Sequence, residues 1–372
     1  MRELQAILES WRAIRESGGG ALLATVVEVS GSTYRRPGAR MMMTPDHWLA
    51  GSISGGCLEG SLLDEAWLRT QDGPTVVTYD STSDDDIVWG FGLGCRGMVR
   101  VIVERLAPDF HNPLRFVEEC FERRQAGALA TVLSSIGTSG AKVGSRLFLH
   151  ADGSHRSSIQ DPALQASLLQ DARVTLSSNR SSRKDYPEPG GNVEVFLEVI
   201  HPPQSLLVFG AGHDAVPLVR LAKEMGWHVT VVDWRPNYAS FQRFPEADQR
   251  VVCQPGSIGD ELRLDSDAAA IVMTHHYLHD QEIVRTLSGS PVRFIGMLGP
   301  RSRTDRLLSE LAEEGVTLSE DRRDAIHGPV GLDIGADSPE TIALAIVAEV
   351  EAALSARPGG FLRDRQGPLH GL

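Results

Sequence analysis

The chain has 372 residues, enough for two domains with a sizeable core in each. With 41% hydrophobic and 23% charged residues it has the composition of a globular protein, and its net charge of -13 argues against nucleic acid and against an anionic membrane surface as partners. No apolar run approaches the ~18 residues needed to cross a bilayer; the most hydrophobic tract, Ile342 to Leu354, is broken by Glu349 and Glu351.

In chain order, MRELQAILESWRAIRES predicts an amphipathic helix without the apolar core of a signal peptide, so the expected location is the cytoplasm. Ala21 to Val29 reads as a strand. A glycine-rich loop follows, then a short helix near Leu58 to Leu68 and strands around Val76 and Val101. A helix over Pro113 to Arg124 and strands near Thr131 and Leu147 come next. The polar, turn-rich segment Ser177 to Asn192 predicts a loop, and GNVEVFLEVI returns to strand. No internal repeat is evident. From Ser205 the pattern changes: LLVF, HVTVVD, AAAIVMT and VRFIGML are short apolar runs separated by helical segments, which predicts a parallel sheet covered on both faces. In the last helix Ser338 can cap, Pro339 suits the first turn, and Ile342, Ile346, Val350 and Leu354 form one stripe. The fold class is therefore α/β: a mixed α/β N-terminal domain over 1–200 and a Rossmann-like parallel-sheet domain over 201–372.

LLVFGAGHDAVPL places Gly210, Gly212 and Ala215 in G-x-G-x-x-A spacing, between a predicted strand and a helix and with His213 inside the motif. Glycines permit the tight turn and the close approach of a phosphate, and the free N–H groups of a helix N-terminus favour an anion. Asp233 ends the next strand, where an acid binds a ribose hydroxyl in dinucleotide folds. MTHHYLHD follows another strand, and its His275, His276, His279 and Asp280 are candidates for a metal or anion; the plainer reading is a polar loop whose histidines cap a helix. GMLGPRSRTDRLL sets Arg301, Arg303 and Arg306 after the next strand, which suits phosphate or an ordinary exposed helical turn equally.

Of four cysteines, two sit among glycines. Cys57 follows Ser54, Gly55 and Gly56 at the predicted start of a helix, where N–H groups and the dipole lower a thiol pKa. Cys95 lies in GFGLGCRGMV beside Arg96. A thiolate is a nucleophile and a soft-metal ligand. Cys120, on a helix, and Cys253, on a strand, lack such surroundings and read as structural. No CxxC occurs, so a zinc ribbon is not expected.

GSTYRRPGARMMMT, GSISGGCLEG and GFGLGC resemble the first domain of the XdhC/CoxI family of xanthine dehydrogenase accessory proteins, and VFGAGHDA, MTHHYLHD, FIGMLGPR and IHGPVGLDIGADSPETIALAIVAEV resemble its C-terminal Rossmann domain. The likeness covers about residues 10–105 and 200–355; the 109–200 region matches less clearly and reads as variable. The resemblance implies a protein that binds molybdenum cofactor (molybdopterin with its dithiolene-held metal), shelters it while its terminal sulfur is installed, and delivers it to a molybdenum hydroxylase such as xanthine dehydrogenase. It implies a cysteine desulfurase as sulfur donor, and a homodimer is compatible with it. Carried onto this chain, Cys57 and Cys95 become thiol contacts to molybdenum or sulfur-relay positions. Gly55 and Gly56 frame the first thiol, Arg35 and Arg40 contact phosphate or pterin, and Gly210, Gly212, His213 and Asp233 hold a phosphate-bearing moiety or nucleotide. His275 and Asp280 line the same cleft. Two departures stand out: Arg96 occupies a position where the family often has glycine, and Tyr34 one where proline is frequent. The alternative is an NAD(P)-dependent oxidoreductase, favoured by the Gly210 fingerprint and Asp233 but without a recognisable catalytic pair.

Overall fold

A computed structural model describes residues 1–31, 33–56, 58–80, 97–107, 109–137 and 140–366. The chain divides into two compact units, Glu3–Pro202 and the stretch from Pro203 onward together with Met1–Arg2. Among the described residues, no helix is long and apolar enough to cross a membrane.

The first unit runs α1 (Arg2–Ser17), β1 (Leu22–Gly31), β2 (Arg40–Met43), β3 (Trp48–Gly51), α2 (Glu59–Arg69), β4 (Thr75–Asp80) and β5 (Gly97–Arg105). Its strands form an antiparallel sheet in the order β3-β2-β1-β5-β4. The same succession then recurs as α3 (Pro113–Arg123), β6 (Gly127–Ile136), β7 (Arg146–His150), β8 (His155–Ser157), α4 (Pro162–Ser178), β9 (Ser182–Glu188) and β10 (Gly191–Ile200). The second sheet has the matching order β8-β7-β6-β10-β9. The unit is an internal duplication, contrary to the expectation of no repeat.

The duplication holds to the level of register. At a fixed step of 106 residues, Leu23-Ala24-Thr25-Val26 corresponds to Leu129-Ala130-Thr131-Val132, Gly38 to Gly144, Arg40 to Arg146 and Ile53 to Ile159. Thr25 lies opposite Arg40 just as Thr131 lies opposite Arg146. Each central strand carries a bulge at the same point, β1 skipping Val27 against β5 and β6 skipping Leu133 against β10. Two further expectations are corrected here. The stretch after the first strand conceals β2 and β3, and Ser177 to Asn192 contains the edge strand β9, whose polar residues leave most of one edge facing solvent.

Alternation along the strands explains why both halves bury two faces. Leu22, Ala24, Val26, Met41 and Met43 pack against Leu62 and Ala66 of α2. Ala128, Ala130, Val132, Leu147 and Leu149 pack against Leu164 and Leu168 of α4. The intervening residues, Leu23 and Met42 from one half and Leu129 and Phe148 from the other, share a core with α1 and α3. Val27, Ile102, Leu133 and Phe196, two pairs of corresponding positions, close the centre. Charges cross reciprocally between halves. Arg40 binds Glu198 of β10 in a bidentate pair at 2.9 and 2.6 Å, and Arg146 binds Glu104 of β5 at 2.5 Å. All four side chains are nearly inaccessible.

The second unit is the expected Rossmann-like domain. It comprises β11 (Ser205–Phe209), α5 (Ala215–Glu224), β12 (His228–Asp233), β13 (Gln249–Val252), α6 (Ile258–Glu261), β14 (Ala268–Val272), α7 (Tyr277–Ser288), β15 (Phe294–Met297), α8 (Arg301–Glu313), α9 (Glu320–Asp324), β16 (Ile326–His327) and α10 (Pro339–Leu354). All six strands are parallel, in the order β13-β12-β11-β14-β15-β16. β11 and β14 are buried along their whole length, which is why they read as unbroken apolar runs. Ser338 accepts from the Thr341 N–H and Thr341 bonds back in a capping box, and Ile346 and Val350 pack into the core shared with α5. Strand order reverses between β11 and β14, so the carboxyl ends of these two strands flank the crevice where such sheets bind ligands.

Candidate functional site

Two places carry the predicted residues, one in each unit. In the first, Gly51 to Leu58 links β3 to α2. Glu59, 2% exposed, accepts from the N–H groups of Ile53 (3.0 Å) and Ser54 (2.8 Å) and from the Ser54 hydroxyl. Ser54 Oγ in turn accepts from the Gly56 and Leu58 N–H groups at 3.2 and 3.1 Å. Burial pushes the Glu59 carboxyl up, but these bonds from Ser54 and Ile53 outweigh it and hold the group below its ordinary value. The loop is thus folded around one carboxylate. Gly56 has φ 110, which other residues rarely adopt, and a Cβ there would meet nothing within 4 Å among the described residues. Gly55 lies under the Tyr34 ring, which is 73% exposed. That next residue, Cys57, lies outside the described residues, as does Cys95.

Arg35 and Arg40, predicted together as loop arginines, take different partners. Arg35 is half-buried, bonds Glu3 and keeps a buried Nε without a partner. Arg40 starts β2, gives Nη1 and Nη2 to Glu198 and the Gly38 carbonyl, and also keeps a buried Nε without a partner. Cys120 is buried in α3, where burial pushes its thiol up to about 12, and Cys253 is half-buried with its thiol also raised.

In the second unit, Gly210 (φ 104) makes the turn out of β11 and presses on β14: a Cβ would stand 2.5 Å from the Met273 carbonyl oxygen. Gly212 is roofed by the Asp214 carboxylate, whose Oδ2 lies 2.8 Å from His275 Nε2. Asp214 and His275 therefore bridge the crevice between β11 and β14. His275 is largely exposed and holds φ 59. His213 is exposed beside this bridge.

Asp233 is saturated by groups of the protein itself. Its Oδ2 accepts from the Ala211 N–H (2.8 Å) and Arg235 Nη2 (2.9 Å), and its Oδ1 from Arg235 N and Nε, both at 2.9 Å. All the acceptor sites of a carboxylate are taken, leaving none for a ribose hydroxyl. Burial pushes the carboxyl up, while the Arg235 guanidinium and the two N–H groups hold it below its ordinary range. Arg235 itself is stacked against Tyr238 (3.6 Å) and Trp234 (4.3 Å). Arg243 also faces Tyr238, donates to the Ala211 carbonyl at 3.1 Å and keeps a buried Nε without a partner.

Asp280 is 2% exposed in the first turn of α7, accepting from the Thr274 hydroxyl and from Arg303 Nη2 at 2.6 Å, and so anchors the turn. Of the arginines after β15, Arg303 serves Asp280 and Arg306 serves Glu310. His276 caps α7, accepting from the His279 N–H at 3.4 Å, and the Trp234 and His279 rings meet edge to face at 4.1 Å. Burial, then His276, lowers the His279 pKa. Among the described residues no group of His, Cys, Asp and Glu is placed to hold a metal. Sequence reasoning missed Arg235, Tyr238 and Arg243; the signal was DWRPNYASFQR, with arginines and aromatics interleaved just after β12.

Comparison with known proteins places these features. Residues 206–350 match a family model described as the XdhC Rossmann domain, and residues 14–80 and 120–187 match that of the XdhC and CoxI family. The chain is 36% identical to a probable xanthine dehydrogenase subunit of Bacillus subtilis, covering 91% of this chain and 94% of that protein. It is 24% identical to the molybdenum cofactor insertion chaperone PaoD of Escherichia coli, over 90% and 83% respectively. A crystal structure titled as a xanthine dehydrogenase from Bacillus halodurans superposes with a TM-score of 0.74 at 28% identity, covering 96% of this chain and 98% of that one.

Proposed function

Because this chain belongs to the XdhC and CoxI family, we propose that it binds molybdenum cofactor, shelters it during sulfuration and hands it to a molybdenum hydroxylase of the xanthine dehydrogenase type. The observation that carries this reading is its near full-length likeness to a protein named as a molybdenum cofactor insertion chaperone. The residues present suit such a cargo. At Gly56, the residue before Cys57, a Cβ would meet nothing within 4 Å among the described residues, and the Ser54–Glu59 core holds that backbone in place. Cys57 and Cys95 supply soft thiolates for the metal or for sulfur relay, and a cysteine desulfurase supplies the sulfur. Arg35 and Arg40, each with an unspent Nε, are the arginines for an anionic group. The protein's part is to bind and orient the cofactor and to exclude water from it.

One contact weighs against the NAD(P)-dependent oxidoreductase: the Asp214 carboxylate stands over Gly212, where a pyrophosphate would bring like charge. Asp233, with no acceptor left for a ribose hydroxyl, weighs against NAD alone. The test is co-expression with molybdopterin biosynthesis, followed by pterin and metal analysis of the purified protein. Near-stoichiometric cofactor is expected, with loss in Cys57→Ala or Cys95→Ala. If both variants load like wild type, the thiols are structural.

A further inference from the structure

The region just beyond β12 concentrates positive charge that the fold does not neutralise. Arg235 spends Nε and Nη2 on Asp233, which leaves its Nη1 edge, and Arg243 spends Nη2 on the Ala211 carbonyl, which leaves a buried Nε unpartnered. Both guanidiniums address the one Tyr238 ring, at 3.6 and 5.0 Å from its centroid. Both are also tied to Ala211, Arg243 directly and Arg235 through Asp233. Two arginines against one carboxylate leave the cluster one positive charge in excess, beside the glycine loop. The neighbouring helix mouth has the opposite character, because Asp214 closes it and His275 holds Asp214 there.

We infer that Arg235 and Arg243 form the seat of a phosphomonoester, with Asp233 as the carboxylate that positions Arg235, and that the site accepts a terminal phosphate while refusing an unphosphorylated ribose diol. An arginine fork matches phosphate oxygens, and stacking on Trp234 and Tyr238 limits the entropy lost when it binds. This deepens the cofactor-binding reading and rests on it for the identity of the cargo. Molybdopterin ends in a phosphomonoester, whereas a nucleotide-extended form would need the ribose and pyrophosphate contacts that Asp233 and Asp214 have closed. The nucleotide-free cofactor is therefore the form this chain selects.

The full chain is titrated with 5'-AMP and with adenosine 3',5'-cyclic monophosphate, whose phosphate is a diester rather than a terminal monoester, following heat and tryptophan fluorescence. The 5'-AMP is expected to bind at least about tenfold tighter, the gain of one charge-assisted contact. The preference is expected to fall below about twofold in Arg235→Ala and Arg243→Ala; Arg235→Lys keeps the charge, guarding against misfolding, and should retain part of it. Equal binding of the two nucleotides by wild type, or an undiminished preference in both alanine variants, overturns the inference. Loading by co-expression separates it from the parent reading. If wild type and both variants carry molybdopterin equally, the reading stands and the arginine seat falls. If wild type carries none yet still discriminates the nucleotides, the seat stands and the cargo is something else.

Discussion

The two halves of the first unit share a scaffold and differ in the turn before their second helix and in the length of the connection between their last two strands. After β3 the chain makes the loop Gly51 to Leu58, folded around buried Glu59 and ending in a positive-φ glycine. After β8, the corresponding stretch runs straight into α4 through an ordinary cap: Asp161 accepts from the Leu164 N–H at 2.7 Å and Pro162 fills the first turn. The strands, bulges and crossed ion pairs are common to both, so they serve the fold. The glycine-framed cysteine belongs to one half only, so it is set apart from what the architecture requires. Duplication thus separates what the scaffold requires from what one half adds to it.

Breaking the shared part should cost most. Glu198→Ala strands Arg40, and Glu104→Ala strands Arg146, each leaving a buried charge uncompensated; both should lose about 3–5 kcal/mol in urea unfolding, and to a similar extent. A large inequality would mean that the two crossings are not equivalent. Next comes the part unique to the first half. Glu59→Ala orphans the Ile53 and Ser54 N–H groups and should cost on the order of 2–3 kcal/mol in the same melts. Asp161→Ala, at the matching turn, should cost only about 1 kcal/mol, the value of a helix cap.

Acid provides a finer probe, because one corresponding pair is asymmetric in charge: Arg100 on β5 meets Glu194 on β10 at 2.6 and 2.8 Å. The Arg100 guanidinium, against the opposing effect of burial and aided by Arg183, pulls the Glu194 carboxyl down to about 2. A depressed folded-state pKa adds stability at pH values above the ordinary carboxylate range, and that stability drains away as pH falls from about 4.5 toward 2. Glu194→Gln should therefore lower stability at pH 7 and flatten its decline across that window in denaturant melts at several pH values.

Much of the second unit was legible because a parallel sheet buried on both faces writes itself as apolar runs, and Gly210 and Gly212 announce the turn out of β11. Its chemistry was less so. Asp233 stands where the motif demands an acid, but nothing in the residue type shows that Arg235 folds back two positions later to saturate it. In the first unit the repeat hid itself. Its identities, such as Thr25 with Thr131 and Arg40 with Arg146, are scattered, and the step of 106 residues shortens to 94 by Glu104 and Glu198 because the intervening segments differ in length. Arg40 is a related case: its charge is answered by a residue far along the chain.

That distant answer has a consequence for how the unit can exist at all. Arg40 and Arg146 each take their counter-charge from the opposite repeat, so a single repeat cut free would have to find it on a second molecule. Joining the two copies in one polypeptide makes this pairing intramolecular, and its stability then no longer depends on protein concentration.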